Sequence, residues 1–125
     1  NISNDLIRHM IRGIFDGDGC FSWGFKTKTT IPNAKFNLCG SKEVMEFSFN
    51  WLCKELNIKI PLIKKHENKL CAAGIGGNWQ VQKVMNYIYK NSTVYLDRKY
   101  KMYQEYLKEI NDSKYDEAKY KSNRY

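Results

Sequence analysis

Asp16 and Asp18, interleaved with Gly17 and Gly19, close the string Ile11-Arg12-Gly13-Ile14-Phe15-Asp16-Gly17-Asp18-Gly19. The residues before them recur at helical spacing, with Leu6, Ile7, Met10, Ile11, Ile14 and Phe15 forming an apolar stripe. Ser3, Asn4 or Asp5 can cap the start of that helix. Its far end breaks a rule. A helix C-terminus carries partial negative charge, so two carboxylates there need a compensating cation, and a divalent metal is the obvious one. A calcium loop is the first alternative, because Asp16 and Asp18 match its first two ligand positions. It fails further along, where Cys20 and Thr27 stand in the fifth and twelfth positions and Phe21 replaces the required glycine. A simple helix stop followed by an Asp-Gly turn is the second alternative. Gly13 and Gly17, one turn apart, offer a face on which another backbone can approach closely.

Around this element, composition sets bounds. The chain has 125 residues, enough for one domain with one core. Its first residue is Asn1 rather than Met, as in a fragment of a longer polypeptide. A formal net charge of +8 points to a polyanionic partner, nucleic acid or an acidic membrane surface. Aromatic residues reach 14%, too many for a disordered basic tail. Cys20, Cys39, Cys53 and Cys71 show no zinc-ligand spacing and sit among apolar neighbours, which predicts buried, reduced thiols. The sequence has neither a signal peptide nor a transmembrane run, and the expected location is intracellular, in cytoplasm, nucleoid or an organelle matrix. Two histidines, His9 and His66, cannot furnish a histidine-rich metal site.

After Gly19 the period changes from helical to alternating. Phe21, Trp23 and Phe25 share one strand face, and Ser22, Gly24, Lys26 and Lys28 the other. A loop at Thr29–Asn33 leads to a second strand, Ala34–Cys39, with Lys35 and Asn37 on its polar side. Ser41 caps a helix over Lys42–Leu56. A second strand pair follows, about Leu62–His66 and Lys69–Ile75, turning at Glu67-Asn68. Gly76-Gly77-Asn78 opens a helix over Trp79–Tyr89, and Asn91 or Thr93 caps a last helix over Val94–Ile110. The fold class is therefore α+β, a four-stranded antiparallel sheet with its helices packed on one face. Residues 1–110 form the domain, and 111–125 a polar tail that could extend the last helix.

The full motif string resembles the signature of the LAGLIDADG homing endonucleases, with Ile11, Arg12 and Ile14-Phe15 in place of its small and aliphatic residues. The family's αββαββα core agrees with the order of elements. Phe36-Asn37-Leu38-Cys39-Gly40-Ser41-Lys42, Gly76-Gly77-Asn78 and Tyr95-Leu96-Asp97-Arg98-Lys99-Tyr100 look like its later segments, so the resemblance covers about Leu6 to Ile110.

That resemblance implies a site-specific, metal-dependent endonuclease acting on double-stranded DNA. It implies that Asp18 and the Gly17 carbonyl hold Mg²⁺, that Asp16 is structural at the helix end, and that Lys99, or next Arg98, stabilises charge on the phosphate. Gly13, Gly17 and Asp16 would lie at a helix pair formed by a homodimer or by a second motif copy elsewhere in the polypeptide. DNA contact would fall to Ser22, Lys26, Lys28, Lys35 and Asn37, with Lys64, Lys65, His66 and Lys69 meeting phosphates. The family often carries an amide side chain near the end of the second strand; this chain has Gly40 there, followed by Ser41 and Lys42. The alternative on the same scaffold is a non-cleaving nucleic-acid-binding module, an RNA maturase or a transcription regulator. A domain that only associates with another protein is the third option.

Overall fold

The computed structural model describes residues 3–25, 31–59, 61–65 and 70–113. Helix α1 covers Asn4–Asp18, and Ser3 caps it by accepting the Leu6 amide at 3.3 Å. Strands β1 (Cys20–Phe25) and β2 (Pro32–Gly40) form the first hairpin, α2 spans Lys42–Leu56, and β3 (Lys64–Lys65) and β4 (Cys71–Gly76) form the second. Helices α3 (Asn78–Tyr89) and α4 (Asp97–Asp112) complete the order. The strands lie in the order β1-β2-β4-β3, all antiparallel.

Alternation decides which residues face the helices. Phe21 on β1, Ala34, Phe36 and Leu38 on β2, and Ala73 and Ile75 on β4 are buried under Ile7, Ile11 and Phe15 of α1, Phe49 and Leu52 of α2, and Val84 and Ile88 of α3. Phe15 stacks on Phe36 at 5.1 Å between ring centroids, fixing α1 over the middle strand. Tyr103 and Tyr106 of α4 cover Phe21 edge-on, each at 5.5 Å. Tyr106 donates to Asn78 Oδ1 at 2.7 Å, and Asn78 Nδ2 donates to the Pro32 carbonyl at 2.8 Å. A buried polar chain thus ties α4, α3 and β2 with each group partnered, as burial demands.

The α+β class, the antiparallel sheet and the one-sided helices stand as the sequence predicts. Several boundaries differ. Pro32 and Asn33, expected in the loop before the second strand, begin β2 instead, with Pro32 at a first strand position where its missing N–H is tolerated. In the second hairpin Leu62, Ile63 and Leu70 lie outside the strands, and among the described residues Lys64 and Lys65 pair with Ala72 and Cys71. Its turn at Glu67-Asn68, with His66 and Lys69, lies outside the described residues, as do Lys26 and Lys28. Helix α4 starts at Asp97, and neither Asn91 nor Thr93 caps it; Asn91 instead takes a left-handed conformation just after α3. The thiols divide: Cys53 and Cys71 are buried, Cys39 is half-buried, and Cys20 is exposed, because it shares the outer strand face with Ser22. Phe25, the last residue of β1, is exposed, and Trp23 is half-buried, so the aromatic stripe of β1 is covered only at Phe21.

Candidate metal and DNA-binding site

The motif ends where α1 hands over to β1. Gly19 terminates the helix, its amide donating to the Phe15 carbonyl at 2.8 Å. A Cβ at this position would come within 2.6–2.8 Å of the Phe15 ring and backbone, so the chain can leave the helix this tightly only through glycine.

The two aspartates part company here. Asp16 turns toward α4: Oδ2 accepts the Leu96 amide at 3.1 Å, and Oδ1 accepts the Tyr89 hydroxyl at 3.5 Å. Leu96 is the residue before the first turn of α4, so the carboxylate sits at a helix N-terminus, where negative charge is favoured. This explains why α4 has no side-chain cap from its own flank. Burial, and then the charge of Asp16, push the Tyr89 phenol well above its ordinary pKa. Asp18 is exposed, and among the described residues it takes part in no hydrogen bond or ion pair.

Lys99 returns the favour from α4. Its ammonium donates to the carbonyls of Phe15 at 2.6 Å, Asp16 at 3.0 Å and Gly19 at 2.5 Å, and lies 4.9 Å from the centre of the Phe15 ring. All three of its protons serve the end of α1. Desolvation lowers the Lys99 pKa, and Asp16 opposes that shift. The cation that the helix end requires is therefore present in the chain itself, and the helix-end charge argument alone does not call for a metal.

Beside this junction lies a hollow of about 340 Å³ lined by Gly17, Asp18, Cys20, Arg98, Lys99 and Met102, among others. Arg98 and Lys99, expected near Asp18, do meet it there. Cys20 and Met102 are additions that sequence reasoning passed over. The alternation that put Ser22 outward would have placed Cys20 there too, and Met102 follows Arg98 by one turn of α4. As donors for a hard divalent cation, the Asp18 carboxylate and the Gly17 carbonyl are the right chemistry. Among the described residues no three His, Cys, Asp or Glu side chains gather into a metal cluster, and Asp16 is committed elsewhere. The residues present fit one side of an oxygen-ligand shell.

Gly13 and Gly17 are both exposed, with open space where a Cβ would be, and Leu6 and Met10 continue the same outward stripe along α1. On the sheet's outer face, Ser22 pairs with Lys35 and Cys20 with Asn37, and all four are exposed. Lys64 lies opposite Ala72 on this same face, whereas Lys65 lies opposite the buried Cys71 and faces the helix side, near Lys42 and Glu46. Gly40 has no side chain to offer, and the Ser41 hydroxyl after it is engaged as the cap of α2, accepting the Val44 amide at 3.2 Å.

This architecture is the fold of the LAGLIDADG homing endonucleases. The homing endonuclease I-TnaI is 13% identical with a TM-score of 0.52, over 92% of this chain and 93% of that one. I-CvuI, solved in complex with a DNA target in the presence of Mg, is 13% identical with a TM-score of 0.60, over 89% of this chain and 71% of that one. I-SmaMI, bound to uncleavable DNA, is 16% identical with a TM-score of 0.60, over 87% of this chain but only 39% of that one. No protein-family model and no curated protein matches the sequence.

Proposed function

We propose that this chain is one catalytic half of a site-specific, metal-dependent endonuclease that hydrolyses phosphodiester bonds in double-stranded DNA. The observation that carries the reading is the division of labour between the aspartates. Asp16 is built into the fold, while Asp18, two residues on, is held at a rigid helix end with its carboxylate exposed beside Arg98.

In this reading Asp18 and the Gly17 carbonyl hold a divalent cation, Mg²⁺ being the natural choice for oxygen ligands. The cation supplies the positive charge that a scissile phosphate needs in its transition state. Lys99 positions the carbonyls of the motif and adds its charge nearby, and Arg98 reaches the phosphate from the open side of the hollow. Ser22, Lys35 and Asn37 face base edges, and Lys64 meets phosphates; Lys26, Lys28 and Lys69 lie outside the described residues. Lys65, on the helix side of its strand, takes no part in this contact. A second carboxylate comes from another motif helix packed on the Gly13–Gly17 face, in a homodimer or in a further copy within one polypeptide. The lengths of I-TnaI and I-SmaMI relative to this chain fit either arrangement.

The test is cleavage of the genomic locus into which the protein's own gene is inserted, with and without Mg²⁺. Asp18→Asn should retain binding and lose cutting. Normal cutting by that variant would overturn the assignment. Binding without cutting by the wild type would favour the maturase or regulator reading.

A further inference from the structure

On the outer sheet face Asn37 lies directly opposite Gly74, and Lys35 directly opposite Gly76. The two glycines do different things. Open space surrounds the position of a Cβ at Gly76. At Gly74 a Cβ would overlap Asn37 Oδ1 and stand 3.1 Å from Asn37 Cγ. The Asn37 side chain therefore lies across β4, in the place a residue larger than glycine would fill. Its amide remains exposed and makes no hydrogen bond to any described residue. Nothing comparable seats Lys35.

We propose that Asn37 and Gly74 form a single base-reading unit, with Asn37 contacting an adenine and Gly74 acting as the positioning residue that sets its amide. The inference rests on the DNA-binding reading above. An amide presents one donor and one acceptor side by side, the complement of adenine N6 and N7 in the major groove. A side chain that lies over Gly74 has this orientation open to it before binding, which a larger residue at 74 would close. Lys35, unseated and cationic, follows whatever acceptor or phosphate is near. Within the described outer face, sequence preference is thus concentrated at the base pair under Asn37, and the bare glycine and alanine positions of β4 tolerate substitution in the target.

The experiment is selection of bound duplexes from a pool randomised across the target site, using the full chain. Wild type should show one position with an adenine preference of about tenfold or more. Asn37→Ala and Gly74→Ala should both erase it and weaken binding to the preferred duplex by about the same tenfold, while Gly76→Ala keeps it; the salt slope should change little in all three, because no phosphate contact is lost. Asn37→Asp keeps the shape and the seat but offers only acceptors, so the same position should turn toward cytosine. That variant decides the question even if Gly74→Ala fails to fold. No Asn37-dependent adenine position, or an unchanged profile in a folded Gly74→Ala, overturns the proposal. Salt-sensitive binding in that case leaves the DNA-binding reading standing, whereas no duplex binding by wild type removes both.

Discussion

Lys99 and Asp16 tie the end of α1 to the start of α4 by hydrogen bonds between residues about 80 positions apart in sequence. β3, by contrast, holds β4 through two residue pairs, and beside it a wider hollow of about 590 Å³ opens between Lys59, Pro61, Leu62 and the Gly74–Gly76 edge. At the first place, backbone groups that a helix end leaves orphaned are answered by side chains from a distant helix. At the second, Leu62 is 79% exposed and packs little. The end of α1 is thus held by side chains from a distant helix, whereas Leu62 is held by little packing.

The largest test of that contrast is Lys99→Met, which keeps the length of the side chain and removes its charge and donors. It should cost about 3 kcal/mol, from lost charge-assisted bonds and an uncompensated helix terminus. Urea denaturation reads it, and a loss under about 0.5 kcal/mol would mean that water replaces Lys99 freely.

Alkali provides the next. Burial pushes the Cys53 thiol up to about 11 and raises the Tyr89 and Tyr103 phenols above their ordinary range. A group whose folded pKa exceeds its unfolded one stabilises fully below the unfolded value, and that share is lost as pH rises through the folded value. For Cys53 the loss should begin near about 8.5, the ordinary thiol value, and for the phenols above about 10. Stability should therefore fall with rising pH, first through the Cys53 thiol and then through the phenols. Cys53→Ala should flatten the first part of that fall in a pH series of melts.

The smallest effect belongs to the edge. Leu62→Thr should change stability by no more than about 0.5 kcal/mol, because little packing is lost. A larger loss would show that the edge is held more firmly than its two residue pairs imply.

Much of this was legible in the sequence, and the failures share a cause. The bounds of α2 follow from Ser41 and a regular apolar stripe, and the first hairpin follows from alternation. The start of α4 was misplaced because its cap, Asp16, comes from the far end of the chain, and no local window holds that information. The second hairpin was overdrawn because Leu62, Leu70 and the small residues of β4 give no alternation to limit it. At the site, the place of Asp18 at the end of α1 was legible from its motif. The role of Lys99 as a helix cap was not, since a lysine in a first helical turn carries no local sign of which carbonyls it will reach. Cys20 was misjudged by composition where strand parity had the answer.

The short second hairpin has a consequence for how copies of this chain can meet. An open strand edge is a template for pairing with any other strand, and proteins guard such edges with brevity and lysine. Among the described residues β3 is Lys64 and Lys65, so the edge it shows is lysine. Two copies brought edge to edge would set lysine against lysine, with almost no ladder to offset the repulsion. A continuous intermolecular sheet is disfavoured from this side of the sheet.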